Sequence, residues 1–406
     1  MPLSPSHRRA NRASHAVGFF ILLGFGLASP VLPLLADDLG LAVASIGAAV
    51  GAFAVGRLMF GIGSLFGLTE ARHMLHLGWL IGGCLLTAAA AAFCGIAADG
   101  TQLIAARTVQ GIGSAMAMLA ASIRPFIDTD QENVGRRFGN QQTIFLLGTA
   151  VGPVAGGALG QFAGLQAPFW ATSALALCAI PCGLVAHRLG AQPTTERNTL
   201  PPAGTGRTSR RFFLAIPVVT LVALAIVVVA NGTRSGYRMT FFPIWGHDVL
   251  GLPETVIGIA LGVGSLGYLS SAVVGPLTDR LGPLPLLVAG GVLLALATAL
   301  VLVMPATWSG FVSMVLSTIG ASSAIVGAST IIIRAESSME RLNAVRNQRV
   351  ATDLGMFLGP LLVGLGMGAF AYGGALLALT VGSLGIAVAA LIVRPKPYTV
   401  TPEEAS

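Results

Sequence analysis

The sequence predicts an all-α, polytopic membrane protein built as two six-helix bundles related by a pseudo-two-fold axis. Three observations carry that expectation: an apolar composition, a series of about twelve apolar runs, and features that recur after roughly half the chain.

Of 406 residues, 54% are hydrophobic and only 10% are charged, with a mean hydropathy of +0.81. A soluble globular chain carries about 25% charged residues, so most of this surface cannot face water. The 53 glycines suit helices packed in lipid, where small side chains let backbones approach. The formal charge of +7 is almost entirely arginine, with Lys396 the only lysine. These charges are spread over short loops between apolar runs, which fits membrane topology and not a nucleic-acid surface. Cys84, Cys94, Cys178 and Cys182 all lie inside apolar runs. Cys178 and Cys182 are a helical turn apart, but no His or carboxylate accompanies them, so neither a metal nor a cofactor is expected.

A spanning helix takes about 20 apolar residues. Residues 1–15 read as a cytoplasmic N-terminus with Arg8, Arg9 and Arg12. The apolar run that follows, 16–36, is too long for a signal-peptide core and lacks a small-x-small cleavage site, so it reads as a retained first span. Spans two to six follow at 43–68, 76–98, 102–123, 140–161 and 168–188, completing an N-terminal bundle over 16–188. Residues 189–211, with Pro193, Pro201, Pro202, Gly204 and Gly206, read as a cytoplasmic linker. Spans seven to twelve follow at 212–236, 254–276, 283–304, 307–333, 349–370 and 373–393. They make a C-terminal bundle over 212–393, with a cytoplasmic tail at 394–406.

Most of the 23 basic residues fall on one side of these spans. They occupy the N-terminus, the loops after spans two, four, eight and ten, the linker and the tail. The opposite loops hold Asp37, Asp38, Asp99, Asp248 and Glu254, with Arg238 the only basic residue near them. The positive-inside rule then places both termini in the cytoplasm of a multi-pass inner (plasma) membrane protein. A shift of about 210 positions lays Pro33 on Pro243, Arg124 on Arg334 and Arg136 on Arg346. It also brings Gly152-Pro153 within a few residues of Gly359-Pro360. Such a duplication suits alternating access, in which two bundles rock about a site near the midplane.

Four motifs sit on or beside these spans. Span one ends in Ser29-Pro30-Val31-Leu32-Pro33. Span four carries Arg107-Thr-Val-Gln110-Gly111-Ile-Gly113. Span five carries Gly148-x-x-x-Gly152-Pro153-x-x-Gly156-Gly157. Between spans eight and nine lies Gly275-Pro-Leu277-Thr-Asp279-Arg280-Leu-Gly282. An arginine inside a span costs at least about 2.5 kcal/mol on the translocon-derived insertion scale, so Arg107 should face the bundle interior, with Gln110 on the next turn to assist. It would serve proton coupling or bind a substrate anion, or else only tie helices together. The Gly-Pro run permits a kink and a close helix contact, which a generic packing face would also use. Asp279 and Arg280 can latch two helices at a turn, or form a solvated pair.

In this order, and on these spans, the motifs resemble the major facilitator superfamily, specifically its twelve-span drug–proton antiporter branch. The resemblance covers nearly the whole chain. It implies that the span-five run seals the bundle in favour of exchange over leak. In the first half the chain departs from the family's loop motif: Thr69 stands where the family has its aspartate, with Glu70 one residue away. Gating is therefore expected to lean on the second half.

Other charges embedded in spans are Arg57 in span two, Arg234 and Arg238 with Asn231 at the outer end of span seven, and Asp353 in span eleven. Asp353 is the clearest carboxylate within an apolar run. It is either the group that titrates during proton coupling or a structural partner of Arg349. Phe145, Phe242, Trp245 and Tyr268 are candidates for lining an amphipathic cavity, or for ordinary core packing.

The reading that results is proton-coupled efflux of a small amphipathic compound by a monomeric, bilayer-embedded carrier. Symport uptake of a sugar or organic anion is the alternative, and a non-transporting sensor or membrane enzyme is a more distant one. No P-loop is present to suggest ATP drive, and no nucleophile–base constellation suggests an enzyme. Span one has no acidic residue before Asp37, and embedded arginine exceeds embedded acid. The substrate is accordingly expected to be neutral, amphipathic or anionic. A transport screen of cationic dyes against anionic or neutral antibiotics should show the dyes as the poorer substrates; preferred dye export would count against this.

Overall fold

In lipid, backbone N–H and C=O groups have to be satisfied within the protein, so apolar runs of this length form helices or a closed barrel. The computed structural model describes residues 5–65, 77–123, 134–189, 218–334 and 341–392, and its elements are all helical. Nine of the described helices are long and apolar enough to cross a membrane, or ten if a bent pair counts as one span. That pair is span one, Arg9–Ala28 followed by Leu32–Asp38, bent by 44°. Pro30 lies in the break and Pro33 in the first turn of the second piece, where its missing N–H costs nothing.

The other helices of the first half are Val43–Leu65, Leu77–Ile96, Gly100–Ile123, Val134–Ala163 and Ala167–Leu189, all but Val134–Ala163 among those nine. In the second half, spans seven to ten are Val218–Asp248, Glu254–Thr278, Pro283–Val303 and Thr307–Ile332. The last apolar stretch, Asn347–Leu391, has 45 residues. As one straight helix it would run about 68 Å, over twice the bilayer core of about 30 Å. Non-helical dihedrals at Phe370 and Ala371 (φ 54°) divide it into spans eleven and twelve. Within each half, where connections are short, successive spans run up and down in turn. Both described ends of the chain then lie on one face, here the terminal face.

Two elements differ from the sequence expectation. Span one begins at Pro5, so the helix takes in most of the segment read as a short N-terminus; Ser14 Oγ donates to the Ala121 carbonyl at 3.1 Å. Span seven does not end at 236. It continues through a π-helical turn, Tyr237–Phe241, and a further helix, Phe242–Asp248, with Pro243 in its first turn. Arg238 therefore lies inside the span, not beside the loop expected there. The helix runs on because that arginine finds hydrogen-bond partners within the bundle. Of the expected linker 189–211, only Leu189 is among the described residues, and the first-half loop holding Thr69 and Glu70 lies outside them.

The core is divided unevenly. One buried cluster, remote from the terminal face, joins both bundles: Leu32, Leu35, Ile46 and Val50 of the first half meet Phe241, Trp245, Leu261, Val363 and Met367 of the second. Nearer the terminal face each bundle has its own cluster, around Ile21, Cys84 and Ala117 in one and Ile226, Leu287 and Ile332 in the other. The bundles are thus sealed together at one face and cored separately at the other.

The same packing device serves each half. Gly148, Gly152 and Gly156 put span five against the backbone of span one at Phe19, Leu23, Gly26 and Leu27, while Gly157 and Pro153 meet Glu254 and Gly258 of span eight. In the second half, Gly355 and Gly359 put span eleven against Val228 and Gly232 of span seven, while Pro360 and Gly364 meet Gly47 of span two. Each Gly-Pro run therefore has one face within its bundle and one across to the other. A side chain on Gly359 would overlap the Gly232 backbone, whereas none of the described residues lies within 4 Å of a Cβ on Gly275. Gly359→Val is expected to cost about 1–3 kcal/mol or more and to lower the unfolding temperature in detergent. Gly275→Ala should leave that temperature unchanged or raise it.

Candidate functional site

The embedded charges fall into three groups. In the first, Arg57 Nε of span two donates to Asp353 Oδ1 of span eleven at 3.0 Å, across the bundle interface. Both side chains are largely buried, at 13% and 7% exposure. The sequence offered Arg349 as the partner of Asp353; the carboxylate is hydrogen-bonded to an arginine of the other bundle, and Arg349 lies close enough to interact electrostatically with both. Asp353 is the only acidic side chain in the buried set among the described residues. The pair sits on the terminal side of the Gly47–Pro360 and Gly51–Phe357 contacts, near the point where the joint core gives way to two separate ones.

The second group is in span four. Arg107 is 2% exposed, and its Nη1 donates to Gln110 Oε1 at 2.6 Å. Its guanidinium lies 4.9 Å from the centroid of the Phe53 ring, a cation–π contact that offsets part of the burial cost. Its Nε has no acceptor among the described residues. The glycines that follow give the arginine its place: Gly111 abuts the Phe53 carbonyl of span two, and Gly113 abuts Gly83 and Thr87 of span three. Gln110 was legible from its spacing; Phe53, from another span, was not.

The third group is on span seven. Arg238 is 6% exposed. Its Nη1 donates to Thr318 Oγ1 at 2.7 Å, and its Nη2 to the Leu261 carbonyl at 2.7 Å and to Ser265 Oγ at 2.9 Å. It thereby ties span seven to spans eight and ten. Arg234, one turn earlier, is half-buried; Nη2 donates to Asn231 Oδ1 at 2.8 Å and Nη1 to the Tyr268 hydroxyl. Asn231 Nδ2 in turn donates to the Val227 carbonyl at 3.0 Å. Tyr268 occupies a 3₁₀ turn, Leu266–Ser270, that interrupts span eight.

The remaining candidates are placed as follows. Phe242 and Trp245 are buried in the joint core; the stacked Phe241–Trp245 rings form part of the seal. The side chain of Phe145 lies outside the described set. Gly282 (φ 81°) takes a conformation that favours glycine and makes the turn into span nine, which Pro283 opens. Arg280 beside it is exposed, and the Asp279 side chain lies outside the described set.

The pair between bundles yields a clear expectation. Arg57→Gln removes the hydrogen-bonded partner of the buried Asp353 carboxylate, leaving it only the nearby Arg349, and should cost up to about 3–5 kcal/mol, read as a lower unfolding temperature. Adding Asp353→Asn removes that charge and should restore most of the loss. A double variant no more stable than the single one would show that the pair contributes little.

Comparison with known proteins gives a consistent result. The Major Facilitator Superfamily model matches residues 15–339 and 239–406. The tetracycline resistance protein, class C, of Escherichia coli is 31% identical over 220 residues, 53% of each chain. The chloramphenicol resistance protein of Streptomyces lividans is 28% identical over 274 residues, 65% of each chain. The quinolone resistance protein NorA of Staphylococcus aureus is 25% identical over 234 residues, covering 55% of this chain and 58% of NorA. The matched region thus spans between half and two thirds of these relatives. Among solved structures, a mutant form of the nucleoside transporter NupG superposes with a TM-score of 0.73 at 15% identity, covering 94% of this chain and 99% of NupG. A bacterial homologue of the human lysosomal transporter Spinster, inward-facing and occupied, gives 0.72 at 16% identity, covering 96% of each chain. At such identities the structural likeness speaks for the fold alone.

Proposed function

The chain belongs to the Major Facilitator Superfamily and is a multi-pass membrane transporter, not an enzyme; from that premise we propose that it exports a small amphipathic compound in exchange for protons. The observation that carries the coupling is the ion pair Arg57–Asp353. A carboxylate buried in a span is expensive to keep charged unless it is paired. Here the partner belongs to the bundle that must move relative to it.

The cycle follows from that geometry. With Asp353 ionised, its attraction to Arg57 holds spans two and eleven together beneath the small-residue contacts. Protonation removes the negative charge and with it the Coulomb term, which is large in a low dielectric. The seam can then rearrange at the terminal face, and the proton leaves Asp353 when that site is open to the other side. With the terminal face in the cytoplasm, as the arginine distribution indicates, each inward proton is exchanged for an outward substrate. Export, as opposed to uptake, is favoured by the resistance proteins among the relatives and by the Gly-Pro run of span five.

Inverted membrane vesicles with an imposed proton gradient and a panel of antibiotics and metabolites test the proposal. Gradient-dependent accumulation of at least one compound is expected. Asp353→Asn keeps the residue's size and removes its charge; it should reduce accumulation to that of de-energised vesicles while leaving exchange of internal for external substrate. Undiminished gradient-driven accumulation in Asp353→Asn would remove the coupling role.

A further inference from the structure

Building on the export reading, we propose that the substrate bears a carboxylate, and that Arg234 of span seven and Tyr268 of span eight form the subsite that receives it. Arg234 stands about midway along the 31-residue span Val218–Asp248, at the depth where carriers of this architecture place their ligands. Its two hydrogen-bond partners, Asn231 and Tyr268, are both neutral. A guanidinium has five N–H donors, so several remain for a ligand. The Tyr268 oxygen accepts from Arg234 and keeps its own O–H to donate. The guanidinium also lies 5.3 Å from the Tyr268 ring centroid, which holds its plane in one orientation.

The neighbouring arginine shows what a purely structural role looks like. Arg238 is fully enclosed, and both terminal nitrogens are bonded to the protein. Arg234 is more exposed and less used. Two positive charges thus sit one turn apart in a low-dielectric interior. No carboxylate among the described residues pairs with either, and the buried Asp353 is taken by Arg57. A bound anion would supply the missing charge. One planar edge with two N–H groups matches the two oxygens of a carboxylate, while a doubly charged phosphate would also need Arg238, whose terminal nitrogens are already engaged.

The backbone supplies an independent observation. Within the described spans, the two helical turns that are not α-helical are the π turn Tyr237–Phe241 and the 3₁₀ turn Leu266–Ser270. They flank this cluster on its two helices. Interruptions of that kind are frequent at functional positions and also occur where a helix is strained. The cluster also borders both movable parts. Ser265 Oγ, one turn from Tyr268, donates to the Thr149 carbonyl of span five at 3.2 Å. Asn231 packs on Gly355, two residues from Asp353.

The test uses the full chain purified into lipid nanodiscs, with 2-naphthylacetate and 2-naphthylacetamide as probes of matched shape and different charge. The acid should bind about tenfold or more tightly than the amide, as a charge-assisted contact implies. Arg234→Gln should bring the acid to the amide's affinity and leave the amide unaffected, and Arg234→Lys should keep part of the preference. Equal binding of acid and amide by the native protein overturns the proposal without recourse to any variant. So does an acid preference that survives Arg234→Gln in folded protein. Binding needs neither a gradient nor a direction of transport. Acid-selective binding without gradient-driven export would therefore remove only the export reading, and export without acid selectivity would remove only this subsite.

Discussion

Inside a bilayer, lipid tails are as apolar as leucine, so nothing squeezes two helical bundles together and their contact has to come from packing. This protein makes that contact with glycine and proline backbones. Gly157 and Pro153 meet span eight, and Pro360 and Gly364 meet span two, each time so closely that a side chain would not fit. Everything else depends on that approach. It brings Asp353 within reach of Arg57, and it lets Ser265 bridge to Thr149. It also allows the residues remote from the terminal face to fuse into one core. Because such seams rely on shape and not on bulky interlocking side chains, they can slide or part without leaving large cavities.

The interior charges are held in graded ways. Arg238 is bonded on both terminal nitrogens, Arg107 rests on Gln110 and an aromatic face, and Arg57 has a carboxylate. Only the last is a pair of opposite charges, and only the last crosses between bundles. Structural cost and functional potential therefore coincide at the seam of spans two and eleven.

Much of the architecture was legible in the sequence because lipid leaves so few alternatives. Apolar run length placed the spans, and the Gly152-Pro153 and Gly359-Pro360 recurrence pointed to two duplicated halves. Where the reading stopped early, the cause was a charge: Arg238 looked like a loop residue because its partners Thr318, Ser265 and Leu261 are 23 to 80 positions away. The same limit hid the Arg57–Asp353 pair, whose members are 296 residues apart. Local spacing favoured Arg349, one turn from Asp353. The depth of each charge in its span, combined with the two-fold relation of spans two and eleven to five and eight, was the signal that would have matched them.

The two seams are alike in shape but not in electrical character. At spans five and eight the bridge is a neutral hydroxyl on a carbonyl; at spans two and eleven it is a cation on an anion. While the two remain in contact their charges cancel, so a small displacement of the closed pair is blind to the membrane voltage. If Asp353 carries the proposed coupling proton, the arginine's charge is left uncompensated. The same displacement then couples to the field, by up to about 2.3 kcal/mol per 100 mV for a full crossing. A cell's resting voltage would therefore bias one protonation state of this seam and not the other, giving a shape-symmetric carrier an electrical direction.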